Sequence, residues 1–374
     1  QPVDCACRGH GLGSASMANA GPETASSFLV VRLGAIGDCL RALPAVGQLR
    51  RQRPEAKIGW VVEDWVQGAL TGCTAVDRFH TLNRGELRSG PRRALAEITR
   101  LTAELRAEGY EVALDLHGRL KSGVVTRLSG ARWRIGYARK DTSEGNHLFT
   151  NLHVSLEDTW ESRVLRFLRP LELIGIGADG APIHEGLAPE AADLDTARDW
   201  YEAAGRPRLA VYPGTSAGRA GQRWPSNKWI ALLARLMGEG VRAVVFWGPE
   251  EQRLVAEIAD GSGAELAPPT TLGQMTAMLG LFECYVGADT AALHMSWMQG
   301  VPCVFFSGPK PVRTIAPLEP VPWRALCASR YFVEGRRPGR QSKETVTEVS
   351  VEEALAAVRE LLGTGRLEKD EQGR

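Results

Sequence analysis

The sequence predicts an α/β protein built from two doubly wound, Rossmann-like domains that face a central cleft. Three observations predict it. Short apolar strands alternate with longer amphipathic helices, which favours parallel sheets covered by helices. The alternation stops near residue 185 and starts again near residue 206. The chain has 374 residues, 44% of them hydrophobic, and is long enough for two cores. Ligands of such domains bind at the carboxyl ends of the strands.

The first domain is predicted to span residues 28–185. The Ala-, Gly- and Ser-rich stretch before it, residues 1–27, lacks the apolar centre of a signal peptide, and we interpret it as a disordered or artefactual extension. Apolar and amphipathic periods place the elements of this domain. They are strands at Phe28–Leu33, Lys57–Val62, Tyr110–Leu116 and Arg134–Tyr137, and helices at Asp38–Gln52, Arg92–Glu108, Leu120–Ser129 and Trp160–Ile174, the last broken at Pro170.

The second domain is predicted to span residues 206–345, after a linker at 182–189 and a helix at Ala191–Ala204. Residues 346–374 are predicted to form a C-terminal helix, Val351–Leu362, and a polar tail, and this helix is a candidate to pack back on the first domain. The second domain repeats the alternation of the first. Its elements are strands at Arg208–Tyr212, Val241–Trp247, Cys284–Gly287 and Val301–Phe306, and helices at Ser226–Met237, Glu250–Asp260, Leu272–Leu279 and Ala291–Gln299.

Charge is distributed unevenly along the chain. The net charge is +1, yet residues 30–140 carry 20 Lys and Arg against 11 Asp and Glu. This basic half suits an anionic partner such as a phosphorylated lipid surface; a solvated basic face without a partner is the alternative. The seven cysteines are scattered without a Cys-x-x-Cys pair, which predicts reduced thiols, a cytoplasmic protein and no metal site. No apolar run approaches the roughly 18–20 residues of a membrane span.

The first strand-to-helix turn contains Gly34-Ala35-Ile36-Gly37-Asp38. Its spacing is not the G-x-G-x-x-G of dinucleotide-binding proteins. Asp38 already places a negative charge at the helix start, which argues against a phosphate there and predicts an ionised carboxylate facing the cleft. Such a group can act as general base toward an acceptor hydroxyl, whereas a plain helix cap is the alternative.

The segment FLVVRLGAIGDCLRALPAV, residues 28–46, resembles the N-terminal signature of glycosyltransferase family 9, the ADP-heptose:lipopolysaccharide heptosyltransferases. The resemblance places the proposed catalytic base of that family on Asp38. It also implies the GT-B fold, with the acceptor bound by the first domain and the nucleotide sugar by the second. ADP-heptose is then a substrate, and no cofactor is implied.

Basic residues in the first domain are candidates to bind an anionic acceptor. Lys121 and Ser122 follow a strand and open a helix, and Arg139 and Lys140 lie in a later segment. Both stretches resemble the corresponding parts of the heptosyltransferases of the first type, which implies contact with the acidic sugar Kdo (keto-octulosonate) and the phosphates of lipid A. Surface solvation is the alternative for each basic residue alone. His117, between the two stretches, is assigned no chemistry.

Loops of the second domain are candidates to bind the donor. Thr215 and Ser216 follow a strand, and with Arg223 they offer hydroxyl, N–H and guanidinium donors for a diphosphate. An ordinary surface loop is the alternative. The family pattern has Asn where Tyr212 stands and Lys where Gln222 stands. The net charge of this candidate diphosphate site therefore departs from that of the family.

Two further turns of the second domain carry candidate donor contacts. Glu250 and Glu251 resemble the family's acidic turn near the nucleoside, which implies bonds to the ribose hydroxyls; complementing a helix dipole is the alternative. The segment from Asp289 to His294 matches the pattern D-[ST]-G-x-x-H with Ala in place of Gly, and His294 outside such a motif is more often structural. A helix start there can receive a diphosphate on its N–H groups. The candidate residues are Asp289, Thr290, Ala291 and His294.

These patterns together predict an inverting, metal-independent transfer of heptose from ADP-heptose to the inner-core Kdo region of lipopolysaccharide. The predicted partners are ADP-heptose, Kdo-lipid A and the cytoplasmic face of the inner membrane, with no nucleic acid. The alternatives are a GT-B enzyme with another nucleotide sugar or a protein acceptor, a non-catalytic nucleotide-sugar-binding protein, and a nucleotide-dependent oxidoreductase. The missing G-x-G-x-x-G weighs against the oxidoreductase.

Overall fold

The chain forms two parallel β-sheets of six strands each. The structure is a computed structural model that describes residues 21–178, 180, 187–215, 223–308, 311–318, 320–327 and 345–363. Each sheet is covered by helices on both faces, so that the predicted architecture of two doubly wound domains is confirmed. None of the helices within these ranges combines the length and apolar character that a bilayer span requires.

The strands of the first sheet are β1 (Ser27–Val31), β2 (Lys57–Glu63), β3 (Arg78–Leu82), β4 (Val112–Asp115), β5 (Trp133–Tyr137) and β6 (Leu152–Val154). They pair in the order β3-β2-β1-β4-β5-β6, and all pairs are parallel. Every residue of β1 and β4 is buried, as expected for strands covered on both faces. The carboxyl ends of the six strands therefore lie at one edge, where the loops with functional side chains follow them.

The helices of the first domain are α1 (Ile36–Gln52), α2 (Asp64–Gln67), α3 (Arg84–Arg88), α4 (Pro91–Glu108), α5 (Leu120–Leu128) and α6 (Arg163–Leu168). Side chains alternate along β1. Phe28 and Val30 belong to the core beneath α1 and α6, whereas Leu29 and Val31 pack beneath α4 and α5. Helix α4 begins with a proline and ends at Gly109, whose φ of 68° is left-handed and favours glycine.

The strands of the second sheet are β7 (Leu209–Tyr212), β8 (Ala243–Val245), β9 (Glu265–Leu266), β10 (Cys284–Ala288), β11 (Cys303–Phe306) and β12 (Trp323–Leu326). Their order is β12-β11-β10-β7-β8-β9, again parallel throughout. The helices around this sheet are α7 (Ala191–Ala203), α8 (Ser226–Gly238), α9 (Gln252–Ser262), α10 (Leu272–Leu279), α11 (Ala291–Trp297) and α12 (Val351–Leu362). Helices α10 and α12 each start with a capping box, which satisfies N–H groups of the first turn.

The two domains touch at the start of α1, which packs against α11. One hydrophobic cluster includes residues of both helices and therefore runs through both domains. Arg313 of the second domain also forms an ion pair with Asp158 of the first, at 3.0 Å. The end of β1 and the end of β10 are thus held face to face.

Two expectations about the helices had different outcomes. The break at Pro170 is confirmed, because α6 stops at Leu168 and a 3-10 segment continues over Arg169–Ile174. The expectation that the C-terminal helix packs on the first domain is wrong. Helix α12 packs on α8 and the second sheet, where its apolar face joins the core of that domain.

The sequence analysis did not predict four of the strands, β3, β6, β9 and β12. In β3 the reason is His80, a polar residue that interrupts the apolar pattern although it is fully buried. Its two ring nitrogens are hydrogen-bonded to Glu104 at 2.7 Å and to the hydroxyl of Tyr110 at 2.8 Å. A buried polar side chain with both partners present does not carry the usual desolvation cost.

Candidate active site

Asp38 lies in the first turn of α1, one residue after the glycine that touches the second domain. The N-cap of this helix is Ala35 and makes no side-chain capping bond, so the alternative that Asp38 is the helix cap is wrong. The carboxylate is bonded instead to Arg32, the first residue after β1, and to Arg41 at 2.5 Å. About 30% of the Asp38 side chain remains exposed, which leaves it accessible from the cleft.

Three arginines control the charge of Asp38. Burial favours the neutral acid, but the positive charges of Arg32, Arg41 and Arg163 outweigh it and hold the pKa of Asp38 well below its usual range. The carboxylate is therefore ionised throughout the physiological pH range, as the sequence predicted. It is also a weak base, because its charge is strongly stabilised.

Replacing Arg41 with glutamine is expected to make activity more sensitive to acid. With one cation removed, burial gains weight and the pKa of Asp38 rises, so that the carboxylate is protonated at a higher pH than in the wild type. The measurement is kcat/KM from about pH 3 to 8, below and above the ordinary Asp pKa. Arg198→Gln, on the exposed face of α7, is the control. Superimposable profiles for Arg41→Gln and the wild type would show that Arg41 does not set the charge of Asp38.

Gly37 lies at a close contact between the domains. A Cβ atom at this position would lie 2.9 Å from Cδ2 of His294 and 3.6 Å from Cα of Ala291. The first distance is shorter than real Cβ contacts, so only glycine lets α1 approach α11 this closely. The side chain of Asp38 is thereby brought to the start of α11.

The start of α11 gathers the predicted donor residues. Thr290 is its N-cap and makes no side-chain capping bond. Nδ1 of His294 accepts a hydrogen bond from the indole N–H of Trp297 at 3.0 Å, so the proton of a neutral His294 is on Nε2. That atom lies 3.9 Å from a carboxylate oxygen of Asp289. Ala291 packs against Gly37 of the first domain, which explains why a small residue is needed at position 291.

Thr215 and Arg223 meet at the end of β7. The Arg223 guanidinium donates to the Thr215 hydroxyl at 3.0 Å and to its carbonyl oxygen at 2.9 Å. Thr215 is buried and Arg223 is half-buried, so this cation is held in place and still reaches the surface. Ser216 and Gln222 lie outside the described residues, and their predicted roles stay predictions.

Glu250 and Glu251 have different environments. Glu250 is exposed, whereas Glu251 is buried and accepts hydrogen bonds from the Gly248 N–H at 2.7 Å and the Tyr212 hydroxyl at 3.2 Å. Tyr212, which stands where the family has asparagine, thus ties two loops together through Glu251. The first role of Glu251 is to hold these loops, and its remaining acceptor capacity faces Gly214.

The four predicted acceptor residues are not equivalent. Ser122 is fully buried, and its hydroxyl lies within hydrogen-bond distance of two acceptors, the Asp115 carboxylate and the carbonyl of Arg119. The prediction that this side chain binds the acceptor is therefore wrong: it closes the turn before α5. Lys121 is exposed and pairs with Glu63 at 2.5 Å.

Arg139 and Lys140 are both exposed in the turn after β5. The Lys140 ammonium group donates to the carbonyl of Leu156 at 3.0 Å, and it retains further donors for a ligand. The structure thus leaves Lys121, Arg139 and Lys140 accessible, but it places none of them in direct contact with Asp38.

Sequence reasoning missed residues that surround Asp38. Arg41 sits one turn along α1, a spacing that would have paired it with Asp38. Arg163 comes from α6, far away in sequence. His117 accepts a hydrogen bond from the Leu33 N–H on Nδ1 at 3.3 Å. Desolvation, and then the positive charge of Arg32, lower the pKa of His117 to about 3, so it is a neutral residue that holds the end of β1.

The model of glycosyltransferase family 9 (heptosyltransferase) matches residues 98–327. The match covers more than half of the chain and parts of both domains. The chain belongs to glycosyltransferase family 9. It is therefore a glycosyltransferase.

Relatives of this glycosyltransferase have similar lengths. The lipopolysaccharide heptosyltransferase 1 of Escherichia coli K12 is 26% identical over 303 residues, which cover 75% of this chain and 87% of the relative. The lipopolysaccharide core heptosyltransferase OpsX of Haemophilus influenzae is 22% identical over 299 residues, 78% of this chain and 82% of OpsX.

Solved structures show that the fold is GT-B. A family 9 glycosyltransferase of Veillonella parvula superposes with a TM-score of 0.75 at 17% identity and covers 90% of this chain and 97% of its own. The E. coli heptosyltransferase WaaC with ADP-2-deoxy-2-fluoro heptose gives a TM-score of 0.68 at 21% identity, covering 89% and 99%.

The family match of this glycosyltransferase begins at residue 98 and so excludes the segment around Asp38. The assignment of Asp38 as base depends on its geometry and on the resemblance of residues 28–46. Within the described part of the chain, no three His, Cys, Asp or Glu side chains come together as a metal site would require.

Proposed function

We propose that this glycosyltransferase transfers heptose from ADP-heptose to the inner-core Kdo region of lipopolysaccharide, with inversion at the anomeric carbon and without a metal ion. The position of Asp38 carries the proposal. Its carboxylate is ionised, partly exposed, and held at the contact between the two domains, opposite the start of α11. A base at this place reaches an acceptor on the first domain and a donor on the second.

The proposed reaction is a single displacement. The acceptor oxygen attacks the anomeric carbon of the donor and forms the new glycosidic bond, while its proton passes to the Asp38 carboxylate. The bond between that carbon and the phosphate oxygen breaks, and ADP leaves with the electron pair. Attack from the side opposite ADP inverts the configuration.

Groups of the second domain are suited to take up the charge of the leaving ADP. Arg223, held by Thr215, supplies a fixed guanidinium. The first-turn N–H groups of α11 and the Nε2–H of His294 supply further donors beside Asp38. Preoriented donors of this kind stabilise developing negative charge, the role that a metal ion has in other transferases.

The acceptor and the location are inferred from charge and from the relatives. The two relatives are named as heptosyltransferases of lipopolysaccharide. Residues 30–140 carry an excess of nine positive charges, which suits a phosphorylated lipid and the negative cytoplasmic face of a membrane. We therefore place the enzyme in the cytoplasm, peripheral to the inner membrane.

The test is a transfer assay with the intact chain. ADP-heptose and Kdo-lipid A are expected to give ADP and a heptosylated lipid with the inverted anomeric configuration, detected by mass spectrometry and NMR. UDP- and GDP-sugars serve as competing donors. Preference for one of them would redirect the proposal to another transferase, and tight ADP-heptose binding without product would favour a non-catalytic protein.

Chelation of metal ions is expected to leave the transfer rate unchanged. Arginine and N–H groups supply the positive charge in the proposed reaction, so no divalent ion is needed. The measurement is initial rate with and without EDTA, and after readdition of magnesium or manganese. Loss of activity that a metal ion restores would rule out the metal-independent mechanism.

A further inference from the structure

An apolar groove of about 360 Å³ lies between α4 and α5, on the face of the first sheet opposite α1. This volume is within the range of pockets that bind small molecules. The floor of the groove consists of buried core side chains from β3 and both helices, which are Leu82, Leu101, Leu105 and Val125. The proposed reaction uses none of these four residues, because α1 and Asp38 belong to the other face of the sheet.

The apolar lining of the groove continues onto the surface. Leu120 lines the groove and is 46% exposed. Leu95 is 65% exposed and stands one turn before the lining residue Ile98, so it extends the same side of α4. Leu148 is 76% exposed, in a 3-10 turn that packs on α5. Three of the six large apolar side chains that are exposed in the described part of the chain thus belong to the groove or to the elements beside it, which marks a surface for an apolar partner.

Basic residues dominate the segments that border the groove. Residues 84–93, between β3 and α4, hold four arginines and one acidic residue, and residues 119–128, which are α5 and its N-cap, hold three cations and no acidic residue. Lys121 lines the groove itself. Arg88 and Arg92 are exposed and have no carboxylate partner among the residues that the structure describes. An apolar interior with a cationic border suits an amphiphile that has an anionic headgroup.

We infer that this groove binds one acyl chain of an anionic phospholipid and thereby anchors the enzyme at the membrane. The inference rests on the proposed function for the presence of a membrane, and it adds the site that holds the lipid. An alkyl chain gains free energy with each methylene group that leaves water, and nearby arginines attract the phosphate of the headgroup. One buried chain together with a basic border gives the two signals that stable attachment to a bilayer requires.

The position of the groove also brings the base to the membrane. The groove begins at the carboxyl edge of the first sheet, where Leu82 ends β3 and Leu120 starts α5. At this end Lys121 pairs with Glu63, the last residue of β2, and the next strand is β1, which leads to Asp38. A phospholipid whose headgroup lies at this end holds that edge against the bilayer. A lipid-linked acceptor in the same bilayer then reaches Asp38 without leaving the membrane.

Alkyl phosphates of increasing length test the groove without requiring transfer. Hexyl, octyl and dodecyl phosphate, each below its micelle concentration, are titrated calorimetrically into the intact wild type and Thr102→Phe. We expect the affinity of the wild type to rise about fourfold for each added methylene group until the chain fills the groove. Thr102 lines the groove, so a phenylalanine ring there should remove this dependence on length. The unfolding temperature should stay the same or rise, because the ring fills a void.

The matched control is Ala103→Phe, which adds a ring at the next position of α4. Ala103 is exposed and does not line the groove, so this variant should bind alkyl phosphates like the wild type. Two variants that carry the same ring on one helix thus differ only in whether the ring enters the groove.

Flotation with vesicles measures the anchoring itself. The wild type is expected to bind vesicles of phosphatidylglycerol and phosphatidylcholine, and to bind vesicles of phosphatidylcholine alone more weakly. Thr102→Phe should lower the affinity for the anionic vesicles about tenfold or more. The double variant Arg88→Gln and Arg92→Gln should lower it about fivefold for each charge removed, and it should keep the dependence of alkyl phosphate binding on chain length.

Three results would overturn the inference. The first is an affinity for dodecyl phosphate no higher than that for hexyl phosphate, and the second is an equal loss of vesicle binding in Thr102→Phe and Ala103→Phe. The third is a dimer in sedimentation velocity that Thr102→Phe abolishes and Ala103→Phe preserves, which would make the groove an interface between two copies of the chain.

The transfer assay separates this inference from the proposed function. If the wild type binds dodecyl phosphate and anionic vesicles through the groove but transfers no heptose, the proposed function fails and the acyl-chain site stands. If heptose is transferred and Thr102→Phe has an unchanged KM for an acceptor presented in anionic vesicles, the acyl-chain site fails alone.

Discussion

Replacing Asp38 with asparagine is expected to lower the turnover number about a hundredfold or more, a typical contribution of a general base. Asparagine has the same shape and keeps an oxygen that can accept from Arg32 or Arg41, so the turn before α1 should persist. It cannot take up the acceptor proton. The measurement is kcat for heptose transfer, together with thermal unfolding of the variant.

The low pKa of Asp38 determines when in the reaction its carboxylate can accept the proton. A carboxylate so strongly stabilised by arginines accepts a proton only late in the reaction, once bond formation has made the acceptor hydroxyl acidic. The loss in Asp38→Asn should therefore appear in kcat and not in the KM for ADP-heptose. Asp195→Asn, which breaks an exposed ion pair on α7, is the matched control. A normal rate in Asp38→Asn would remove Asp38 as the base.

Replacing Gly37 with alanine is expected to reduce the turnover number about ten- to a hundredfold, the scale of effect of a displacement of about 1 Å. The added methyl group would stand 2.9 Å from the ring of His294. His294 is buried and bonded to Trp297, so its ring cannot simply turn away. Either α1 retreats from α11 or the ring is displaced, and in both cases Asp38 loses its position relative to the donor.

The effect of Gly37→Ala should be confined to the contact between the domains. Each sheet also has a hydrophobic cluster that lies within its own domain, so we expect normal secondary structure and unfolding temperature. Small-angle scattering with ADP-heptose present would detect a more open arrangement of the domains. Gly238→Ala, in α8 where nothing lies within 4 Å of the added atom, is the control. An unchanged kcat in Gly37→Ala would mean that the contact is not part of the working enzyme.

The proximity of several predicted donor residues follows from local motifs, whereas their binding of the donor stays a prediction. Thr215 and Arg223 are eight residues apart and meet because one follows β7 and the other precedes α8. Asp289 to His294 form one turn, so their proximity follows from the helical repeat. The prediction failed for Ser122, since a serine that caps a buried turn and a serine that faces a ligand look the same in sequence.

The sequence alone determined the two doubly wound domains, most of their elements and the family, because helical and strand periods and motif spacings are local properties of the chain. Only the tertiary structure decided what surrounds Asp38. Arg163 lies 125 positions further along the chain and His294 belongs to the other domain, and no local pattern encodes a distance between such residues. The charge of the base, its partners and its opening to the cleft all depend on how α1, α6 and α11 pack.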